Sequence, residues 1–314
     1  MRIPLLTVDY ELFGNGKGEI FNDLIYPTER LFDIFSLLKE QALFFVEGLE
    51  FYMLEKNGED VRSVRKQIRE MALRGHKVGL HVHPQWMVEQ SRIADRDLEL
   101  SQWYCNNNDI TEDILLSAIK CSLEFISSCL PEGVKVEFFR AGAFAAAPSE
   151  SLGKILKGMG INYDSSIVPG YKNYKFGSID YEYLHEDYLR GYEASIHDFR
   201  KVERGSKFYE YPIGAFGFYH LLSVSTNNLL TRLFKKEGIQ TPNFSKPQNF
   251  SSTRPIDFGT MNSVSFLIAL RSYLKRGYLP VIITHSKSLT IYANVVANIL
   301  IFKYFKWILI KKSQ

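Results

Sequence analysis

Cysteine is scarce in this chain. The three present, Cys105, Cys121 and Cys129, cannot all pair with one another, and none stands in a Cys-x-x-Cys arrangement. That argues against a disulfide framework and against a thiolate metal or redox centre, and it suits a reducing compartment. An excess of one charge is missing too. Lys and Arg number 38 against 35 Asp and Glu, a formal net charge of +3, too slight a bias for nucleic acid to be the main partner. The first apolar run, Ile3 to Val8, is far too short for a secretory h-region and ends on Asp9, so export is not expected and a cytoplasmic location is. Internal repeats and low-complexity segments are absent. Long apolar runs are absent as well, with one exception: Ile291 to Ile310, interrupted by Asn294, Asn298, Lys303 and Lys306 and followed by Lys311 and Lys312. It is about long enough to cross a bilayer, but its two internal lysines would each cost roughly 2.5 to 3.5 kcal/mol near the centre. Three readings stand: a helix packed on the fold, which is preferred, a helix lying on a membrane surface, and a transmembrane helix.

What is present is a large apolar complement, 46% hydrophobic and 14% aromatic over 314 residues, enough for one large core or two ordinary ones. Short apolar runs alternate with helix-periodic segments, the signature of β-α units around a largely parallel sheet. Strands are predicted at Ile3 to Val8, Ala42 to Val46, His76 to His83, Val134 to Phe139, Ile161 to Asp164, Phe208 to Ile213 and Tyr278 to Thr284. Helices are predicted from Thr28, which would cap the first, to Leu38, then at Asp60 to Leu73, Thr111 to Leu130, Ser149 to Gly158, Leu221 to Lys235 and Ser263 to Lys275. Asn243 to Ser252 reads as a loop. Pro169 to Lys207 breaks the alternation: Tyr171, Tyr174, Tyr181, Tyr183, Tyr188 and Tyr192 crowd a stretch too long for an ordinary connection. It reads either as a sugar-stacking insertion or as cover for apolar surface. The economical organisation is one β/α domain over residues 1–290 with an insertion at about 169–207, then a Lys-ended apolar helix over 291–314.

Reactive groups in β/α architectures gather where the carboxyl ends of several strands converge. Four predicted strands deliver such groups: Asp9-Tyr10-Glu11, His81-Val82-His83, Arg140 and His285. Residues i and i+2 of a strand share a face, so His81 and His83 point together, as do Asp9 and Glu11. Two imidazoles and a carboxylate are a recurrent set for a catalytic divalent metal with open positions. A His-x-His alone is commonly incidental; the carboxylates, the arginine and the third histidine give it weight. His76, at the start of its strand, reads as structural, and His185, His197 and His220 carry no assignment.

Taken in order, these motifs resemble those of the polysaccharide deacetylases, the NodB-like carbohydrate esterases. Thr7-Val8-Asp9-Tyr10-Glu11 looks like the first motif, Leu43 to Gly48 the second strand, and Gly75 to Pro84 the histidine motif. Phe138 to Phe144 is similar to the arginine motif of deacetylases from surface-polysaccharide gene clusters, Tyr163 to Ser166 to the fourth motif and Ile282 to His285 to the fifth. The resemblance implies an irregular (β/α)7-type barrel. It implies a metal-dependent hydrolase that removes an acetyl or formyl group from an amino sugar in O-antigen, lipopolysaccharide or capsule synthesis. By the same resemblance Asp9 is the general base, Arg140 holds and orients it, His285 is the acid at the departing amine, and Asp164 fixes the His285 ring. Glu11, His81 and His83 would hold the metal, zinc first, with cobalt, nickel or manganese as alternatives. Tyr10, Gln85 and Phe144 are expected at the substrate.

Two departures qualify this. Tyr10 stands where the usual motif has a second aspartate, and Gln85 stands four residues after His81, where the second metal histidine usually falls. His83 is then the partner of His81, unless Gln85 is itself a ligand. A metal-independent amide hydrolase and an inactive glycan-binding homologue are the alternative readings. The expected partner is a nucleotide-linked or lipid-linked amino sugar or oligosaccharide, met at the inner face of the membrane, with the C-terminal helix as a peripheral contact.

Overall fold

The computed structural model describes residues 5–13, 15–99, 103–173, 179–182, 188–217, 253–289 and 291–313. The first half repeats one unit. β1 (Leu6–Tyr10) leads to α1 (Tyr26–Leu38), and β2 (Leu43–Glu47) to α2 (Gly48–Lys56) and α3 (Arg62–Leu73). β3 (Lys77–Val82) leads to the short α4 (Gln85–Val88) and α5 (Glu112–Cys129), and β4 (Phe138–Ala141) to α6 (Leu152–Gly158). Beyond them the strands shorten: β5 (Tyr163–Asp164), β6 (Lys172–Asn173), β7 (Ile179–Asp180), β8 (Tyr192–Glu193), β9 (Tyr209–Glu210), β10 (Ala215–Phe216) and β11 (Arg254–Pro255). Then come α7 (Ser263–Lys275), β12 (Ile282–His285) and α8 (Tyr292–Ser313).

An eight-stranded sheet runs β12-β1-β2-β3-β4-β5-β9-β8, and all its neighbours pair parallel except β8 with β9. The sheet curls until the chain after β9 meets the far edge of β12. There the Gly214 N–H donates to the Val281 carbonyl at 2.7 Å and the Phe258 N–H to the Ile283 carbonyl at 3.0 Å. The parallel strands thus close irregularly into the barrel that the motifs implied.

Strand alternation sorts the side chains. Leu6, Val8 and Tyr10 join the large apolar cluster between strands and helices, while Thr7 and Asp9 turn inward to Arg140. Leu43, Phe45, Phe138 and Val281 form a separate apolar cluster; Leu43 and Phe138 begin their strands, Val281 immediately precedes β12 and Phe45 stands midway along β2, and together they make a floor for the barrel. Gly79 leaves room for it, since a Cβ there would lie 2.9 Å from the Phe45 ring. The Arg140 guanidinium sits 4.1 Å over that ring, so the interior passes from an apolar floor to a charged upper layer.

Several boundaries differ from the sequence reading. Ile20–Ile25 forms a wide helical turn that runs straight into α1, so Thr28 is buried inside the helix and donates to Ser286 Oγ at 3.0 Å instead of capping. β4 starts at Phe138 rather than Val134 because its ladder with β3 begins at Leu80 and Phe139. The predicted strand over 208–213 shrinks to Tyr209–Glu210. The predicted helix over 221–235 and loop over 243–252, with Tyr174, Tyr183, His185 and His220, lie outside the described residues. In the insertion, Tyr171, Tyr181 and Tyr192 are buried, and the Tyr192 hydroxyl donates to the Phe199 carbonyl at 2.5 Å; these rings brace the loop rather than face solvent. His76 stacks on Phe32 and accepts the Ala42 N–H at 3.2 Å. Burial, with Arg74 adding to it, pulls its pKa down to about 4, which suits a neutral structural role.

Candidate active site

The carboxyl ends of β1, β3, β4 and β12 meet at one mouth, a cavity of about 220 Å³ lined by Asp9, Glu11, His81, His83, Tyr104, Ala141, Ala143, Phe144, His285 and Lys287. Arg140 lies beneath it with no exposed surface. Its Nη1 donates to Asp9 Oδ1 at 2.6 Å and to Thr7 Oγ1 at 3.0 Å, and its Nε to the Ser165 carbonyl at 2.7 Å. Burial pushes the Asp9 carboxyl up, but the Arg140 guanidinium, helped by His285 and His81, more than reverses this and leaves its pKa below the ordinary value. Asp9 Oδ2 remains turned towards His285, whose Nε2 is 3.5 Å away.

Glu11 faces the histidine pair from the continuation of β1. Its Oε2 lies 3.0 Å from His83 Nε2 and 3.6 Å from His81 Nε2. Against the upward push of burial, Lys287, His83 and His81 hold the Glu11 carboxyl well below the usual range. His81 Nδ1 is 2.8 Å from the Arg140 carbonyl; a carbonyl only accepts, so Nδ1 carries a proton, while Nε2 faces Glu11, which against the downward push of burial raises the His81 pKa. The buried His83 Nδ1 makes no hydrogen bond among the described residues, its Nε2 faces only Glu11, and burial lowers its pKa. Gly142 makes the position of that ring feasible, because a Cβ would fall 2.6 Å from it.

One donor atom from each of Glu11, His81 and His83 lies within 4.8 Å of the others. A carboxylate held ionised and two buried imidazoles that both turn Nε2 towards it fit a divalent cation. Of the residues assigned to the metal by sequence, all three are therefore together.

Three assignments need correction. Tyr10 is fully buried and packs 5.7 Å from Phe51; as the strand residue between Asp9 and Glu11 it points to the opposite face, into the helix layer rather than the mouth. Gln85 is buried at the start of α4 and is not among the residues lining the cavity. Asp164 does not support His285. Its carboxylate accepts the Ser166 hydroxyl at 2.7 Å and the Ser166 N–H at 3.1 Å, and its register partner across the ladder is Glu210. The carboxylates beside His285 are Asp9 and Glu11, with Asp257 near enough to feel its charge. Phe144, by contrast, does line the mouth. It and Ala143 adopt left-handed backbone, φ 65° and 52°, strained for residues with a Cβ, and the Tyr181 hydroxyl holds the turn by donating to the Phe144 carbonyl at 2.5 Å.

Lys287 escaped the sequence reading. Its Nζ donates to Glu11 Oε1 at 2.9 Å and to the Leu12 carbonyl at 2.5 Å, so one Glu11 oxygen is committed to the lysine and the other to the histidines. Glu47 and Glu50 were missed as acids. Burial drives both pKa values well up, that of Glu50 to about 8, so they back the site as neutral groups. The available signal was position: Glu47 ends β2 and pairs in register with His81.

No protein-family pattern matches the sequence, and no curated protein does. Among solved structures, a Mycobacterium smegmatis protein provisionally described as a polysaccharide deacetylase aligns over 95% of this chain and 84% of its own, with a TM-score of 0.51 and 15% identity. A family 4 acetyl xylan esterase from Clostridium thermocellum, solved with a cobalt ion, covers 54% of this chain and 60% of its own at a TM-score of 0.32 and 18% identity. A family 4 carbohydrate esterase from Streptomyces lividans, solved with acetate, covers 54% and 64% at a TM-score of 0.33 and 14% identity. The first of these defines the class of fold, the mixed α/β barrel found in polysaccharide deacetylases. The likeness is one of fold.

Proposed function

We propose that this chain hydrolyses the N-acetyl or N-formyl amide of an amino sugar during surface-glycan synthesis, on a nucleotide-linked or lipid-linked sugar or oligosaccharide. The observation that carries this reading is the buried Asp9–Arg140 pair, 2.6 Å apart, opening on the same mouth as His285 and the Glu11, His81 and His83 cluster. An amide resists hydrolysis because water is a weak nucleophile and an amine a poor leaving group, so a base, an acid and a stabiliser for the developing oxyanion are all needed. A divalent ion held by Glu11, His81 and His83, zinc before cobalt, nickel or manganese, supplies Lewis acidity when bound. Asp9 Oδ2 takes the proton of the attacking water, while Arg140 keeps that carboxylate ionised and fixes its direction through the other oxygen. The water oxygen bonds to the acyl carbon and the C–N bond breaks. His285, as the imidazolium, gives its proton to the leaving amine, so that a carboxylate and a free amino sugar depart. Lys287 holds Glu11 in place, and Tyr104 and Phe144 offer the sugar ring aromatic walls.

A second reading rests on Lys287, whose ammonium already supplies a positive charge beside Glu11 and would serve a metal-independent hydrolase. Amine release from acetamido and formamido sugars, followed through chelation and metal restoration, separates the two. Loss and recovery are expected. Turnover that survives complete chelation favours the lysine reading, and a metal-loaded protein that binds glycan without turnover is an inactive homologue.

A further inference from the structure

α8 is apolar on nearly every side yet poorly covered. Tyr292–Lys312 has a mean hydropathy of 1.5, and only 28% of its most apolar stretch is buried. A helix apolar all round belongs in a protein core or against lipid. Its covered side is firmly held: Val295, Asn298, Ile299, Phe302 and Phe305 are buried. Asn298 Nδ2 donates to the Phe258 and Met261 carbonyls at 2.9 and 2.8 Å, and Lys306 Nζ pairs with Glu40 at 3.1 Å. Those ties argue against α8 leaving the fold to cross a bilayer.

The other side of its last turns has a different character. Tyr304, Trp307 and Ile310 are 58%, 51% and 52% exposed. The Tyr304 and Trp307 rings stack at 6.1 Å, and Lys311 Nζ lies 4.3 Å over the Trp307 ring, with Lys312 exposed beside it. Tyrosine and tryptophan next to lysines on an apolar surface suit the boundary where acyl chains meet anionic headgroups. We propose that the end of α8 docks the protein on an anionic lipid surface, with Tyr304, Trp307 and Ile310 entering the headgroup boundary and Lys311 and Lys312 meeting lipid phosphates.

This contact orients the molecule, whatever reaction the mouth performs. α8 begins just beyond Lys287 at the mouth, whereas Lys306 meets Glu40, which precedes β2 at the opposite end of the barrel. Tyr292 to Trp307 spans about 20 Å of helix, so the docked protein holds its mouth away from the bilayer. On the function proposed above, a lipid-linked substrate would have to extend beyond the headgroups to reach the mouth, whereas a nucleotide-linked one would arrive from solution.

The test is sedimentation of the 314-residue chain with phosphatidylcholine vesicles, with and without phosphatidylglycerol. Two variants accompany it, Tyr304→Ser/Trp307→Ser/Ile310→Ser and Lys311→Glu/Lys312→Glu, each checked by circular dichroism melting. Binding to the phosphatidylglycerol vesicles is expected, falling about tenfold or more in either variant and on omission of the anionic lipid. Should a variant fail to fold, the parent's binding is titrated with salt and must weaken as ionic strength rises. Equal pelleting of parent and folded variants, salt-independent binding, or no pelleting at all overturns the proposal. So does a parent dimer that the first variant turns into a monomer, which would assign the patch to a second copy of the chain.

Discussion

Asp9 and Glu11 on one side, and Glu47 and Glu50 on the other, are equally buried carboxyls in neighbouring parts of the same barrel, held in opposite states. Arg140 stands 2.6 Å from Asp9 and Lys287 2.9 Å from Glu11, and both acids lie below their ordinary pKa despite burial. Glu47 is faced by the Glu50 and Glu11 carboxyls and relieved only by the Glu50 and His83 backbone, with no cation beside it among the described residues. Glu50 accepts one backbone N–H, from Leu12 at 3.0 Å, and both acids lie above their ordinary pKa. Depth sets the penalty for charge; a cation at hydrogen-bond distance decides whether the charge is kept. The mouth therefore holds two anions without gathering four.

The strongest test of that contrast is Asp9→Asn. The amide keeps the shape, and Arg140 retains Thr7 and Ser165 as acceptors, but the proton acceptor is gone, so turnover of an N-acyl amino sugar should fall by about 10²- to 10⁴-fold while the melting transition stays cooperative. Undiminished turnover would remove Asp9 as the base. Next comes Arg140→Met, which leaves Asp9 buried without its counter-charge and should destabilise the fold by about 3–5 kcal/mol, read by urea denaturation. The sign with pH is set by Asp9. Its depressed pKa gives the parent stability that is present above the unfolded value near 4 and lost as pH falls through the folded value. In the variant Asp9 is relieved by protonation, so the deficit should shrink in acid; a deficit constant with pH would mean that packing, not charge, was lost.

Glu50→Gln probes the other half of the comparison. The folded pKa of Glu50 is raised to about 8 from 4.5, so its neutral form stabilises the fold fully below about 4.5, and this contribution drains away as pH rises to about 8. Glutamine, permanently neutral and still able to accept from Leu12, should be more stable than the parent at pH 8 by about 1–4 kcal/mol. The gap should close below pH about 5. A gap independent of pH would place Glu50 with the charged pair.

The charged pair was legible because alternation on a strand is a local rule. Asp9 with Glu11 and His81 with His83 need only i and i+2 spacing to share a face, and the largely parallel sheet followed from the recurring β-α pattern, while its closure into a barrel was implied only by the family resemblance. Asp164 was misread because its role depends on which strand lies next to β5, and that neighbour, β9, comes 45 residues later along the chain and is two residues long. No local pattern reports such a pairing. Lys287 was missed for a related reason: it sits in the short 3-10 turn Ser286–Ser288 after β12, where strand alternation no longer says which way a side chain points. Glu47 and Glu50 looked like ordinary charged residues until packing removed their water.

Tyr10 is the sharpest case, since the rule that correctly joined Asp9 to Glu11 also sends the residue between them outward. Its ring is buried against Phe51, and its hydroxyl has no hydrogen-bond partner among the described residues. Burial, reinforced by the nearby Glu29, Cys129 and Glu50, pushes its pKa well up, so the group is a neutral hydroxyl paying for lost water. Tyr10→Phe removes that hydroxyl and keeps the ring, so stability should hold or rise by up to about 1 kcal/mol. A residue that touched substrate would instead lose turnover or raise KM. An unchanged kcat/KM with an equal or higher Tm is expected, and a fall in kcat/KM without a fall in Tm would return Tyr10 to the mouth.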